Sequence, residues 1–183
     1  MKVDLTDLIR TTLEAKGSKY TYDKQANRFQ IQINNGKGLL CENIYAFDEN
    51  RVGIRVLYPF KADKSVYATM ALYMADYNHN RSFGTLRINS DGMISMNYTY
   101  VILEPSDCNS TILNTHIDIF ENEAVKIYDK LSRICSDPMG MPVQDRMYYR
   151  SLLRESLERL LGKTPEKENK SDTIVLPFAD ACT

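Results

Sequence analysis

The chain has 183 residues, 43% of them hydrophobic, which is enough for one sizeable core and too little for a second full domain. Its 23 basic and 24 acidic residues leave a net charge of −1, so no bulk attraction draws it to nucleic acid or to an anionic membrane. No run approaches the roughly 20 apolar residues that span a bilayer, and Met1-Lys2-Val3-Asp4-Leu5-Thr6-Asp7 lacks the apolar stretch of a signal peptide, so a cytoplasmic protein is expected.

Residues 3–16 read as an amphipathic helix with Leu5, Leu8, Ile9 and Leu13 in one stripe and Gly17 as its C-cap. Tyr20 to Tyr22 and Arg28 to Asn34 then turn to strand period, with Phe29, Ile31 and Ile33 facing one way and Arg28, Gln30 and Gln32 the other. Asn35-Gly36-Lys37-Gly38 is a turn rather than a phosphate loop, because no Lys-Ser/Thr ending and no helix follows it. A strand over Leu39 to Phe47 comes next, reversed by Asp48-Glu49-Asn50. The strand after it buries Val52, Ile54, Val56 and Tyr58 and ends at Pro59.

Residues 66–102 form the centre of the chain. Val66, Met70, Tyr73, Met74 and Tyr77 mark one buried helical stripe. At Asn78-His79-Asn80 short polar side chains compete with the helical backbone, and the helix is expected to end there. The period then switches to two. Gly84, Leu86 and Ile88 share a face across from Ile94, Met96, Tyr98, Tyr100 and Ile102, while Asn89-Ser90-Asp91-Gly92 provides the tight turn.

Glu104-Pro105-Ser106-Asp107 closes the sheet, and a long helix over about 110–136 follows. Its stripe of Leu113, Ile117, Phe120, Ala124, Ile127, Leu131 and Ile134 steps by four and three, a seam suited to a long groove or to a symmetry mate. Asp137-Pro138 breaks it. A further helix over about 143–161 carries Leu153, Leu157, Leu160 and Leu161 and stops at Gly162. Residues 163–172 are polar and linker-like, whereas Thr173-Ile174-Val175-Leu176-Pro177-Phe178 is unexpectedly apolar. The expected organisation is a principal domain over 1–138, an added helix over 139–162, and a linker with an apolar tail over 163–183. Short turns between successive strands imply an antiparallel sheet of five strands with helices against one face, an α+β fold.

Few residues suggest chemistry. Cys41, Cys108, Cys135 and Cys182 are scattered without metal-ligand spacing, so neither metal nor cofactor is expected. Cys108 precedes a helix, where a thiol pKa can fall, but has no companion base. His116 beside the seam reads as a hydrogen-bonded packing residue. Arg146, Arg150 and Arg154 stack like charges at i, i+4, i+8, a solvated face or one for an acidic partner. Nucleic-acid binding there would want interleaved exposed aromatics, and only Tyr148 and Tyr149 offer that.

The order α-β-β-β-α-β-β-α resembles the type III secretion chaperone-like fold, and most of all the YbjN-type candidate sensory transduction regulators of bacteria. The residues that carry the resemblance are Met74-Ala75-Asp76-Tyr77-Asn78, Asn80, Phe83-Gly84-Thr85-Leu86 and Asp91-Gly92 with the strand after it. Secretion chaperones are commonly dimers that cradle an unfolded segment of an effector. The resemblance therefore implies a binding scaffold without catalytic residues: a non-enzymatic, protein-binding module of the bacterial cytosol, expected as a homodimer. Its polypeptide partner would meet an apolar groove or a sheet edge, through Tyr98, Tyr100, the Arg146/Arg150/Arg154 stripe, and Ile174, Leu176 and Phe178 of the tail. The alternative is a small-molecule-sensing or enzymatic domain with a polar pocket near Asn78, His79 or Arg87, between the central helix and the sheet.

Overall fold

The computed structural model describes residues 4–81, 83–104 and 107–136, together with residues 148, 151, 154 and 155. Helix α1 (Leu5–Lys16) is started by the Asp4 carboxylate, which accepts the amides of Thr6 and Asp7, and Gly17 ends it. Strands β1 (Tyr20–Asp23), β2 (Arg28–Asn34), β3 (Leu39–Ala46) and β4 (Arg51–Lys61) follow as a meander. Helix α2 (Tyr67–Asn80), preceded by a 3₁₀ turn at Lys64–Val66, leads to β5 (Thr85–Ile88) and β6 (Met93–Val101). Helices α3 (Ser110–Lys126) and α4 (Tyr128–Ser136) complete the described run.

The sheet is antiparallel throughout, in the order β1-β2-β3-β4-β6-β5. It has six strands rather than the expected five. Tyr20–Asp23 pairs as a separate strand with Arg28–Ile31, because Asp23 accepts the amides of Gln25 and Ala26 and folds the intervening residues into a turn. Helices α1 to α4 pack on one face. Their apolar stripes meet Phe29, Ile31, Leu40, Ile44, Val52, Ile54, Val56, Tyr58, Ile94 and Met96 in a single core. Burial of each such side chain contributes about 1.5–3 kcal/mol relative to leaving it in water.

Both periodic signals at the centre hold. Val66, Met70, Tyr73, Met74 and Tyr77 are all buried, as are Ile94, Met96 and Tyr100. In the 89–92 turn the Asn89 side chain accepts the amides of Asp91 and Met93. Gly92 takes φ 78° where a Cβ would fall 2.2 Å from the Ala62 carbonyl oxygen, so only glycine fits this turn against the end of β4.

Three boundaries differ from expectation. Helix α2 continues through Asn78 to Asn80. Strand β4 resumes after Pro59 to reach Lys61, with a shift of register between Leu57 and Lys61 where proline has no amide to pair. The long helix is two helices, parted at Ile127. There the buried Tyr58 hydroxyl donates to the Ala124 carbonyl at 3.0 Å, the acceptor that an unbroken helix would give to residue 128. All seven seam residues from Leu113 to Ile134 are buried within this one chain, so the seam requires no second copy.

Candidate functional site

The site begins with the direction of main-chain groups along the outer margin of the sheet. On β5 the Leu86 amide donates to Asn78 Oδ1 at 2.8 Å, and Asn78 Nδ2 donates to the Leu86 carbonyl at 3.1 Å. Both Leu86 groups therefore face away from β6. Leu86 lies opposite Met96, so Met96 faces away from β5, and alternation turns Asn97, Thr99 and Val101 toward the outer margin. Two further bonds agree with this phase. Ile102 donates inward to Asn50, and the Arg51 carbonyl, opposite Val101, points to Phe47 of the β3 side.

Strand β5 covers β6 only from Ile94 to Asn97. Gly84, at φ 81°, brings the chain into β5 from the helix side, where Phe83 stacks on Tyr98 with ring centroids 4.1 Å apart. A Cβ at residue 84 would fall 2.3 Å from Met96 Cε, the movable end of that side chain, so it is the positive φ that favours glycine here. Beyond Asn97, β6 outruns its neighbour. No hydrogen bond among the described residues takes the amide or carbonyl of Thr99 or Val101 on that side. The result, among the described residues, is a short open edge at the main chain of Thr99 and Val101.

Apolar surface flanks it. Val101 is 42% exposed and Leu103 82%. On the helix side Phe83, Tyr98 and Tyr100 surround His116, whose Nδ1 lies 2.9 Å from the Tyr98 hydroxyl. Burial lowers the His116 pKa, which favours the neutral ring. Tyr100 donates to the Asp107 carbonyl at 2.6 Å, and Asp107 accepts the amides of Leu103 and Glu104, fixing the loop at the end of the edge.

Of the residues expected to meet a partner, Tyr98 and Tyr100 lie on this stretch, but their side chains turn into the helix layer. What the stretch offers outward is the main chain of Thr99 and Val101, which only the strand register identifies. Arg154 is exposed; Arg146, Arg150, Ile174, Leu176 and Phe178 lie outside the described residues. Among the described residues, the three side chains of the alternative reading do not converge on one pocket. Asn78 is engaged by Leu86, His79 is exposed at the end of α2, and Arg87 is exposed on the opposite face of β5 from Leu86. Burial raises the Cys108 thiol pKa, opposite to what a reactive thiolate needs. Among the described residues no three His, Cys, Asp or Glu side chains are placed to hold a metal.

Sequence reading missed a second polar feature, Glu42 on β3. It is fully buried between α1 and α3, flanked in its own sheet by Ile31 and Val56. Facing it are Lys16 of α1 and Asp118 and Glu121 of α3; Lys16 Nζ lies 2.8 Å from Asp118 and 2.7 Å from Glu121. Neither Glu42 oxygen finds a donor among the described residues. Burial, and then the Glu121 charge, raise its pKa well above the usual carboxylate value. A protonated Glu42 can donate to the Glu121 carboxylate, which explains how the group is accommodated. Its one signal in the sequence is position: Glu42 falls on the apolar phase of its strand, between Leu40 and Ile44.

These features define a two-layer α+β protein whose helices cover one sheet face and whose sheet margin is sealed at one point and open at the next. Sequence comparison finds no matching family model and no matching curated protein. Among solved structures, the chain is similar to YbjN of E. coli, a candidate transcription regulator, with a TM-score of 0.57 and 12% identity over 73% of this chain and 95% of that one. It thus shares the YbjN fold. Weaker likenesses, which add nothing to that, are to a complex of the Yersinia pestis type III secretion chaperone SycH with a fragment of YscM2 (TM-score 0.47, 10% identity, 67% and 98% covered) and to the HopA1–SchA chaperone–effector complex (0.49, 11%, 70% and 98%).

Proposed function

We propose that the chain is a non-enzymatic polypeptide-binding module that takes an extended segment of its partner as an added strand on the open edge of β6. One observation carries the reading: Thr99 and Val101 turn their main-chain donors and acceptors outward, with no partner among the described residues and beside exposed apolar side chains, while the neighbouring outward position at Leu86 is closed by Asn78. Unpaired strand edges are templates for another strand, and in such binding main-chain hydrogen bonds give affinity while flanking pockets give selectivity. The reading is compatible with the regulator description of YbjN, whose fold the chain shares. A cytosolic setting belongs to the same reading, supported by the free thiols of Cys41, Cys108 and Cys135. The homodimer implied by the resemblance stays part of the proposal; because the α3–α4 seam is buried within the chain, the edge of β6 is assigned to a foreign polypeptide.

Peptides selected from a displayed library against the intact protein test this. Bound peptides should be extended and apolar-alternating, and should slow hydrogen exchange at the Thr99 and Val101 amides. Thr99→Pro and Val101→Pro remove outward donors without breaking a bond to β4; each should weaken binding at least tenfold while the circular dichroism spectrum stays that of the parent. Peptides that bind with equal affinity to both variants, or protect other amides, would overturn the reading.

A further inference from the structure

We propose that the open edge of β6 has a resident occupant, the chain's own segment 173–178 (Thr-Ile-Val-Leu-Pro-Phe), laid beside Thr99–Val101 as an intramolecular added strand. This rests on the reading of β6 as a strand-accepting edge and adds its regulation: a foreign partner must displace the segment.

The match is one of register. The edge presents two main-chain positions, Thr99 and Val101, two residues apart. An incoming strand must answer with amides and carbonyls two residues apart, and Ile174 and Leu176 supply them. Pro177 has no amide, and it falls in the other set with Thr173 and Val175, whose main chain would face away from β6. Proline is tolerated there, and it blunts the new edge against further addition. In this pairing the side chains opposite Thr99 and Val101 lie on their face of the sheet. Ile174 and Leu176 would therefore lie against Val101 and near Leu103, apolar side chains that are 42% and 82% exposed. Val175, on the other phase, would turn toward the Phe83, Tyr98 and Tyr100 side.

Reach and concentration favour the same chain. Tyr148 sits against the core with Asp76 of α2 beside its hydroxyl, and α2 packs on β5, the strand next to β6. Residues 149–172 separate Tyr148 from the segment, and the ten residues 163–172 alone can extend about 33 Å, against a radius of gyration of about 14 Å for a domain of this size. A tether of this kind holds its end at an effective concentration on the order of millimolar, well above that of a second copy.

Residue-resolved hydrogen exchange on the full chain tests the inference, with Ile174→Asp/Leu176→Asp in the full chain as comparison and the Ile54 and Val56 amides as a control for the fold. Expected are Thr99 and Val101 amides that exchange at least tenfold more slowly in the parent than in the variant, with no dependence on protein concentration. Equal exchange in the two proteins would overturn the inference, and so would protection that disappears on dilution, which marks exchange of the segment between copies. If the amides are free in the intact chain yet become protected by a library-selected peptide, the inference fails and the strand-accepting edge stands. If neither the segment nor any selected peptide protects them, both fail.

Discussion

Leu86 on β5 and Thr99 on β6 sit on the same margin of one sheet and turn the same groups outward, yet they are treated in opposite ways. At Leu86 a single carboxamide, Asn78 on α2, both donates and accepts, doing what a neighbouring strand would do. At Thr99 and Val101 no described group answers. An edge left open over two residues costs little in water, because solvent meets the groups, but it remains available to another strand. Glu42 extends the contrast. Its oxygens also find no donor among the described residues, but water is excluded there, and burial with the Glu121 charge raises its pKa in favour of the protonated form.

The largest effect should come from removing what makes β6 outrun β5. Gly84→Val forces a β-branched residue into φ 81° and against Met96, and should cost about 3 kcal/mol or more of stability in urea unfolding. Unchanged stability would mean the chain can enter β5 another way. Opening the sealed position comes next. Asn78→Ala leaves the half-buried Leu86 amide and carbonyl without partners and should cost about 1–3 kcal/mol, with faster exchange at the Leu86 amide as the specific signature. If the two positions are equivalent once Asn78 is gone, library-selected peptides should also begin to protect Leu86.

For Glu42 the sign follows from a folded-state pKa raised above the ordinary 4.5. The folded state keeps its proton while the unfolded chain releases one, so the stabilisation is complete below about pH 4.5 and is lost as pH rises toward the folded value. The loss has a limiting slope of about 1.4 kcal/mol per pH unit. Glu42→Gln keeps a neutral donor for Glu121 and should be more stable than the parent at pH 8, with a flatter profile in denaturation series from pH 5 to 8. Identical profiles would place the charge on Glu42 and return the problem to its missing donors. Smallest is Tyr98→Phe, which removes the hydroxyl bonded to His116 and should cost about 1 kcal/mol. It should leave peptide binding unchanged if the edge is read through main chain alone.

Much of the fold was legible because its signals are local. The helical stripe from Val66 to Tyr77, the alternation from Ile94 to Ile102, the Gly17 cap and the 89–92 turn are each specified within a few residues. The site was legible only in outline. Tyr98 and Tyr100 marked the right stretch of β6, but the groups that face outward belong to the residues between and after them. Asn78 read as the end of a helix, and nothing near it in sequence announced that its carboxamide pairs with a strand eight residues on.

The amino-acid order by itself determined the periods, turns and caps, hence the antiparallel α+β class, since these depend on backbone geometry over one or two turns of chain. Only the tertiary structure decided that Tyr20–Asp23 is a sixth strand, that Tyr58 bonds the Ala124 carbonyl where the last two helices part at Ile127, that Glu42 is enclosed among Lys16, Asp118 and Glu121, and that Thr99 and Val101 turn their main chain outward with no partner among the described residues. Each of these turns on which polar group meets which partner across a fold-wide distance, and register between elements far apart in sequence sets that.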